Sequence, residues 1–237
     1  MRLSLLILLL VLGSCESDYR VCPATHTNPT NLLYNDVVIE LIERRFYLSY
    51  LPDENVKEIE RYFSGVNLLE PTRADSIWIG KQRVRFQRQL FQDTAQFQTF
   101  YLNTVWQGNP KLADLPGQFT AFRAGSRIAT MLTTFAPHLE QAALDSLNGI
   151  QTRMQAAEFQ LCTSKLLPAR PRPYTRPLNI GGGVLTLSNV VFNKSQDQAL
   201  LSYGWLCGPK CGFGEVLWVE KIQGRWRIKQ AEGTWIS

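Results

Sequence analysis

Four runs of apolar, β-branched and aromatic residues, at 184–193, 198–207, 212–222 and 225–237, close the chain. Short turn-rich segments at 194–197, 208–210 and 223–224 divide them, the pattern of an antiparallel meander. A two-residue turn at Gln223-Gly224 sets Ile222 opposite Arg225, Glu220 opposite Arg227 and Val219 opposite Ile228. Strand alternation then turns Phe213, Leu217, Val219, Trp226 and Ile228 towards a core. The other face, with Val216, Trp218, Glu220, Arg225, Arg227 and Lys229, is expected to be solvated. On it Trp218 lies opposite Lys229, and Glu220 forms a cross-strand ion pair with Arg227 worth about 0.2–1 kcal/mol.

Upstream the apolar period lengthens. Tyr34, Val38, Leu41 and Ile42 share one helical face, and Pro52 marks its limit. Asp53 caps a second short helix presenting Val56, Ile59 and Phe63, closed by Gly65. Ile77-Trp78-Ile79 reads as a brief strand. From 82 to 106 two adjacent apolar rows, Phe86, Leu90, Phe97 and Tyr101 beside Val84, Phe91, Ala95 and Leu102, predict a long helix. Pro137 opens another, with Leu139, Ala143, Leu147, Ile150 and Met154 along one face. Then Pro168, Pro171, Pro173 and Pro177 alternate with arginines up to Gly181-Gly182-Gly183, an extended connector. The pattern predicts an α+β fold: a mainly helical N-terminal half (32–166), a connector (167–183) and a C-terminal antiparallel meander of about four strands (184–237) packed against it.

The N-terminus changes the setting. Arg2 precedes an apolar run at 3–12 that is too short to span a bilayer, the pattern of a secretory signal peptide over residues 1–14. Leu12-Gly13-Ser14-Cys15 resembles the lipobox of bacterial lipoproteins, which implies cleavage before Cys15 and acylation, including palmitate, on its thiol. Residues 15–31, with Pro23, Pro29 and several threonines, read as a lipidated tether. Of the five cysteines, Cys22, Cys162, Cys207 and Cys211 then remain in an oxidising, exported setting. Four cysteines allow three pairings. Cys207 and Cys211 flank a three-residue turn within disulfide reach, so adjacency pairs them and leaves Cys22 with Cys162.

Charge and chemistry narrow the function by exclusion. The formal net charge of +5 is spread along the chain and argues for no nucleic-acid partner. Two histidines, His26 and His138, sit in no ligand or triad motif, so no metal site is expected. The triplet of glycines leads into a strand without a lysine in phosphate-loop spacing, so no cofactor is expected either. Cys207-Gly208-Pro209-Lys210-Cys211 looks like a thioredoxin motif, yet it has one residue too many and stands between strands instead of at a helix start. A structural bridge is preferred to redox catalysis.

The C-terminal strings Ser188-Asn189-Val190-Val191-Phe192-Asn193, Cys207-Gly208-Pro209-Lys210-Cys211-Gly212, Gly224-Arg225-Trp226 and Trp235-Ile236-Ser237 resemble a group of uncharacterised exported bacterial proteins. That resemblance brings no activity with it. The closing hairpin also looks like the last strands of cone-shaped, cystatin-like domains. The function expected is therefore a lipid-anchored cell-envelope protein with a non-catalytic binding or structural role, partnered by the membrane and another envelope protein or polymer. The alternative is a cone-like domain binding or hydrolysing a small ligand in a pocket between helix and sheet. Such a pocket is expected to contain Glu215 or Asp197 with Trp205, and Trp205, Glu215 and Trp218 are the candidate ligand or partner surface.

Overall fold

Seven strands form a single mixed sheet in the computed structural model, which describes residues 22, 25–46, 57–58, 61–62, 72–92, 98–104, 126–136, 141–169, 182–208 and 211–236. The strands are β1 (Thr99–Asn103), β2 (Lys165–Pro168), β3 (Gly183–Leu187), β4 (Val191–Phe192), β5 (Gln198–Gly208), β6 (Cys211–Ile222) and β7 (Arg225–Ile236). The order across the sheet is β2-β1-β3-β5-β6-β7, with β4 continuing beside β5 where β3 leaves it. β1 runs parallel to both β2 and β3, and every other pairing is antiparallel. Among the described residues four α-helices have defined bounds: α1 (Pro29–Arg44), α2 (Arg73–Gln92), α3 (Arg127–Phe135) and α4 (Gln141–Asn148).

This architecture corrects the expected α+β division into a mainly helical N-terminal half and a four-stranded meander. β1 comes from the segment expected to be helical and β2 straddles its boundary with the expected connector, and both extend the meander into the seven-stranded mixed sheet. The helix expected over 82–106 ends at Gln92, and Thr99–Asn103 is a strand that buries Phe100 and Leu102. Its residues satisfied the helical rows because Phe97 and Tyr101 are four apart, while Thr-Phe-Tyr-Leu also suits a pleated surface. Conversely, Ile77-Trp78-Ile79 is helical. The Thr72 hydroxyl accepts from Asp75 N at 3.2 Å and the Asp75 carboxylate accepts from Thr72 N at 2.7 Å, a reciprocal cap that starts α2.

The meander register holds at the final turn, with Ile222 opposite Arg225, Glu220 opposite Arg227 and Val219 opposite Ile228. A bulge between Trp218 and Val219 then shifts β7, so Trp218 faces Gln230 instead of Lys229. The Lys229 ammonium still reaches back over the Trp218 ring, 4.3 Å from its centroid, and pairs with Glu220 at 3.3 Å. Glu220 thus takes Lys229 where Arg227 was expected. The second face of the sheet is not solvated either. Leu200, Val216 and Trp218 are buried there under Ile128, Met131 and Leu132 of α3 and Leu147 of α4. On the first face Leu201, Tyr203, Leu217, Val219 and Trp226 pack against Leu33, Val37, Leu41 and Ile42 of α1. Gly214 leaves room beneath the indole of Trp235, which any Cβ at 214 would strike.

α1 carries an unusual load. Asn28 caps it, accepting from Thr30 N and Asn31 N, with Pro29 at its first position. Every residue from 33 to 43 is buried, including Asn35, Asp36, Glu40 and Glu43. The carboxylates do specific work at the sheet edge: Trp226 N donates to Asp36 at 2.9 Å and Ile228 N donates to Glu40 at 2.9 Å. Arg225 pairs with Asp36 at 2.5 Å and Arg44 with Glu40 at 3.2 Å. Burial raises both carboxyls above their ordinary values, opposed by these hydrogen bonds and by nearby arginines.

Asp36→Ala strands the Trp226 N–H and leaves Arg225 without its partner, so it is expected to cost about 2–4 kcal/mol in urea unfolding. Asp36→Asn/Glu40→Gln keeps acceptors at both positions and removes both charges. Because the folded pKa values are raised, the native state takes up protons before the unfolded chain does. Relative to that double variant, wild-type stability is expected to rise as pH falls from neutral, and to level off below the ordinary values of 3.8 and 4.5. Chemical unfolding of both proteins across pH 3–7 measures it; an opposite slope defeats the assignment.

Candidate functional site

The expected site residues are not assembled by the fold. Trp205 lies in the core, its indole N–H donating to Gly182 O at 2.7 Å and its ring stacked on Phe46 with centroids 4.8 Å apart. Phe46, Phe100, Tyr203 and Phe213 complete that aromatic cluster, so the space beside Trp205 is filled. Glu215 stands two register positions from it, opposite Tyr203, accepting from the Tyr203 hydroxyl at 2.5 Å and pairing with Arg45 at 3.5 Å. Burial raises the Tyr203 phenol, and the Glu215 carboxylate raises it further. Trp218 is on the opposite face, edge-on to Phe135, with its N–H on Gln198. Asp197 is spent in the β4–β5 turn, where Ser195 and Asn193 each donate to it at 2.6 Å and hold its carboxyl below the ordinary range.

Both disulfides are present. Cys22 bridges Cys162 with Cα atoms 5.5 Å apart, and Cys207 bridges Cys211 at 5.1 Å across the β5–β6 turn. They match an oxidising, exported location. No helix among the described residues is long and apolar enough to cross a membrane. Residues 25–31, read as tether from composition, already belong to the fold: Thr25 N donates to the Gln160 side chain at 2.7 Å, and α1 begins at Pro29. Cys15, His138, Pro209 and Lys210 lie outside the described residues.

A cleft of about 710 Å³ opens instead at the start of α1. Asn31 and Tyr34 of α1 form one wall, Gln151 and Arg153 after α4 a second, and Asn189, Phe192 and Gln196 around β4 a third. Its floor is fixed by backbone bonds. Gln151 N donates to Leu187 O and Asn189 N to Gly149 O, at 2.7 and 2.9 Å. The Tyr34 hydroxyl donates to Ser188 O at 2.9 Å, and the buried Gln151 side chain closes a ring with Met154. Burial raises the Tyr34 phenol, opposed by the Arg153 charge. Among the described residues no carboxylate, thiol or imidazole lines the cleft. Among the described residues no group of three His, Cys, Asp or Glu side chains is placed to hold a metal ion.

No spacing signal announces these residues, because Asn31, Arg153 and Gln196 come from three distant segments. One sequence string does bear on the cleft. The string Ser188 to Asn193 supplies the acceptor for Tyr34, three lining residues, and the Asn193 side chain that organises the β4–β5 turn by accepting from Asp197 N and Gln198 N. No protein-family model matches the chain, and no curated protein or solved structure matches it.

The two disulfides are expected to differ in weight. Cys207 and Cys211 are four positions apart, so replacing both with alanine should cost about 1–2 kcal/mol; Cys22 and Cys162 close a 140-residue separation, so the same change should cost about 4–5 kcal/mol in chain-entropy terms. Denaturant midpoints of the two double variants check the order, and non-reducing peptide mapping checks the pairing. Rapid thiol–disulfide exchange of Cys207–Cys211 at neutral pH would favour a redox role over a staple.

Proposed function

We propose that the chain is a lipid-anchored, exported cell-envelope protein that binds a partner and does not transform it. The carrying observation is the Cys22–Cys162 bridge, which fastens the polypeptide shortly after the proposed anchor to the segment that leads into β2. Cys22 follows Cys15 by seven positions, and a fully extended segment of that length reaches roughly 25 Å. The folded body is therefore held against the membrane surface and not at the end of a long tether. The resemblance to exported bacterial proteins supports the same reading.

The binding role is supported by what lines the cleft. Amides, hydroxyls, one guanidinium and one phenyl ring can position a ligand, and the described residues of the wall include no carboxylate or imidazole to act as general acid or base. The second reading, a pocket around Glu215 and Trp205, loses weight because that space is occupied by Phe46 and Phe213.

Cys15→Ala is expected to abolish labelling by a palmitate analogue and to move the protein into a soluble fraction. Two or three acyl chains anchor firmly where a single chain binds marginally and reversibly. Membrane retention of the variant, with no label on the wild type, would refute the anchor.

A further inference from the structure

We propose that the cleft at the start of α1 is a saccharide site that takes a hydroxyl-rich ring bearing one carboxylate. The inference rests on the binding role above and names its ligand class. Its first support is unspent hydrogen bonding. The side-chain amides of Asn31, Asn189 and Gln196 line the cleft and take part in no hydrogen bond with the described residues. Each offers a donor pair and an acceptor side by side, which matches neighbouring hydroxyls that both donate and accept.

The second support is shape. Phe192, its ring 5.8 Å from that of Trp226, gives the cleft an apolar flank for the C–H face of a sugar. The cleft volume falls within the range of small-molecule sites, about 300–1,000 Å³.

The third support is charge. Among the described residues of the lining Arg153 is the only charged side chain, and it is exposed and makes no ion pair with the described residues. The start of α1 does not compete with it for an anion, because Asn28 already accepts from Thr30 N and Asn31 N. A negative group entering the cleft therefore goes to the guanidinium, whose fork suits a carboxylate. With no acidic residue in the wall, a cationic ligand finds no counter-charge. A polyphosphate finds one cation and no ring of backbone N–H donors.

The test is a titration of the full lipoprotein in detergent micelles, followed through the side-chain amide NMR signals of Asn31, Asn189 and Gln196. N-acetylmuramic acid, N-acetylglucosamine and inorganic phosphate are the probes. Saturable shifts are expected with both sugars, with the acidic one bound about tenfold more tightly. Arg153→Ala should erase that preference, and Gln196→Ala should weaken both sugars while leaving it intact. Both residues are exposed, and an unchanged melting temperature certifies each variant's fold. The proposal is overturned by the absence of saturable shifts, by phosphate displacing the acidic sugar at equal concentration, or by a preference that survives Arg153→Ala. Failure here leaves the Cys15 labelling result untouched, so the ligand and the anchor fail separately.

Discussion

The rest of the structure depends on two carboxylates of α1 seated on the edge of β7. Four helical residues rise about 6.0 Å, and two strand residues about 6.6–6.8 Å. Asp36 and Glu40 therefore meet the alternate outward N–H groups of Trp226 and Ile228 only if helix and strand run side by side in the same direction. The match fixes the azimuth of α1 as well as its direction. It also covers a stretch of strand that would otherwise present unpaired donors to another chain. Burying two acids is costly, and the raised carboxyls record that cost. Arg225, Arg44 and the two backbone donors offset it.

Once α1 is set, its ends are set too. Tyr34 reaches Ser188 O at the end that opens on the cleft. Beyond the other end Phe46 enters the aromatic cluster between Phe100 and Trp205, and Arg45 reaches Glu215. Asn35, on a third side, exchanges hydrogen bonds with the backbone of Gln160, two residues before Cys162. The disulfide from Cys162 to Cys22 then holds the chain that leads into the helix. The start of the described chain is thus held by covalent, polar and apolar contacts at once.

The parts legible in sequence were those where local pattern and tertiary role agree. Gln223-Gly224 dictated its hairpin, with Gln223 at φ 50° and Gly224 at φ 79°, and the facing residues followed. Alternation could not reveal that Val216 and Trp218 are covered, because a half-buried strand and a fully buried one share that period until the covering helices are known. β1 was lost for a different reason: Phe97 and Tyr101 satisfy a helical stripe while Phe100 and Leu102 satisfy a strand, and pairing with β2 and β3 decided between them. Thr72 and Asp75, by contrast, form a cap that was readable and outranked by three apolar letters. The cleft had no comparable signal, since its free amides are ordinary surface residues until Tyr34, Gln151 and Asn189 are fixed around one space.

The edge clamp and the cleft use opposite sides of one helix. At 100° per residue, Tyr34 and Asp36 lie 200° apart, so the turn that seats Asp36 and Glu40 on β7 also aims Tyr34 at Ser188 and places Asn31 on the cleft wall. A rotation of α1 that released the carboxylates would withdraw the wall. Any ligand that touches Asn31 and Arg153 together therefore favours the docked helix over the undocked one, and stabilises the β7 edge by RT ln(1 + [L]/Kd) without contacting it. Asp36 and Glu40 are committed to the backbone of β7, and the described residues of the cleft wall offer amides and a single guanidinium. Holding the edge and shaping a weakly cationic site are consequences of the same helix orientation.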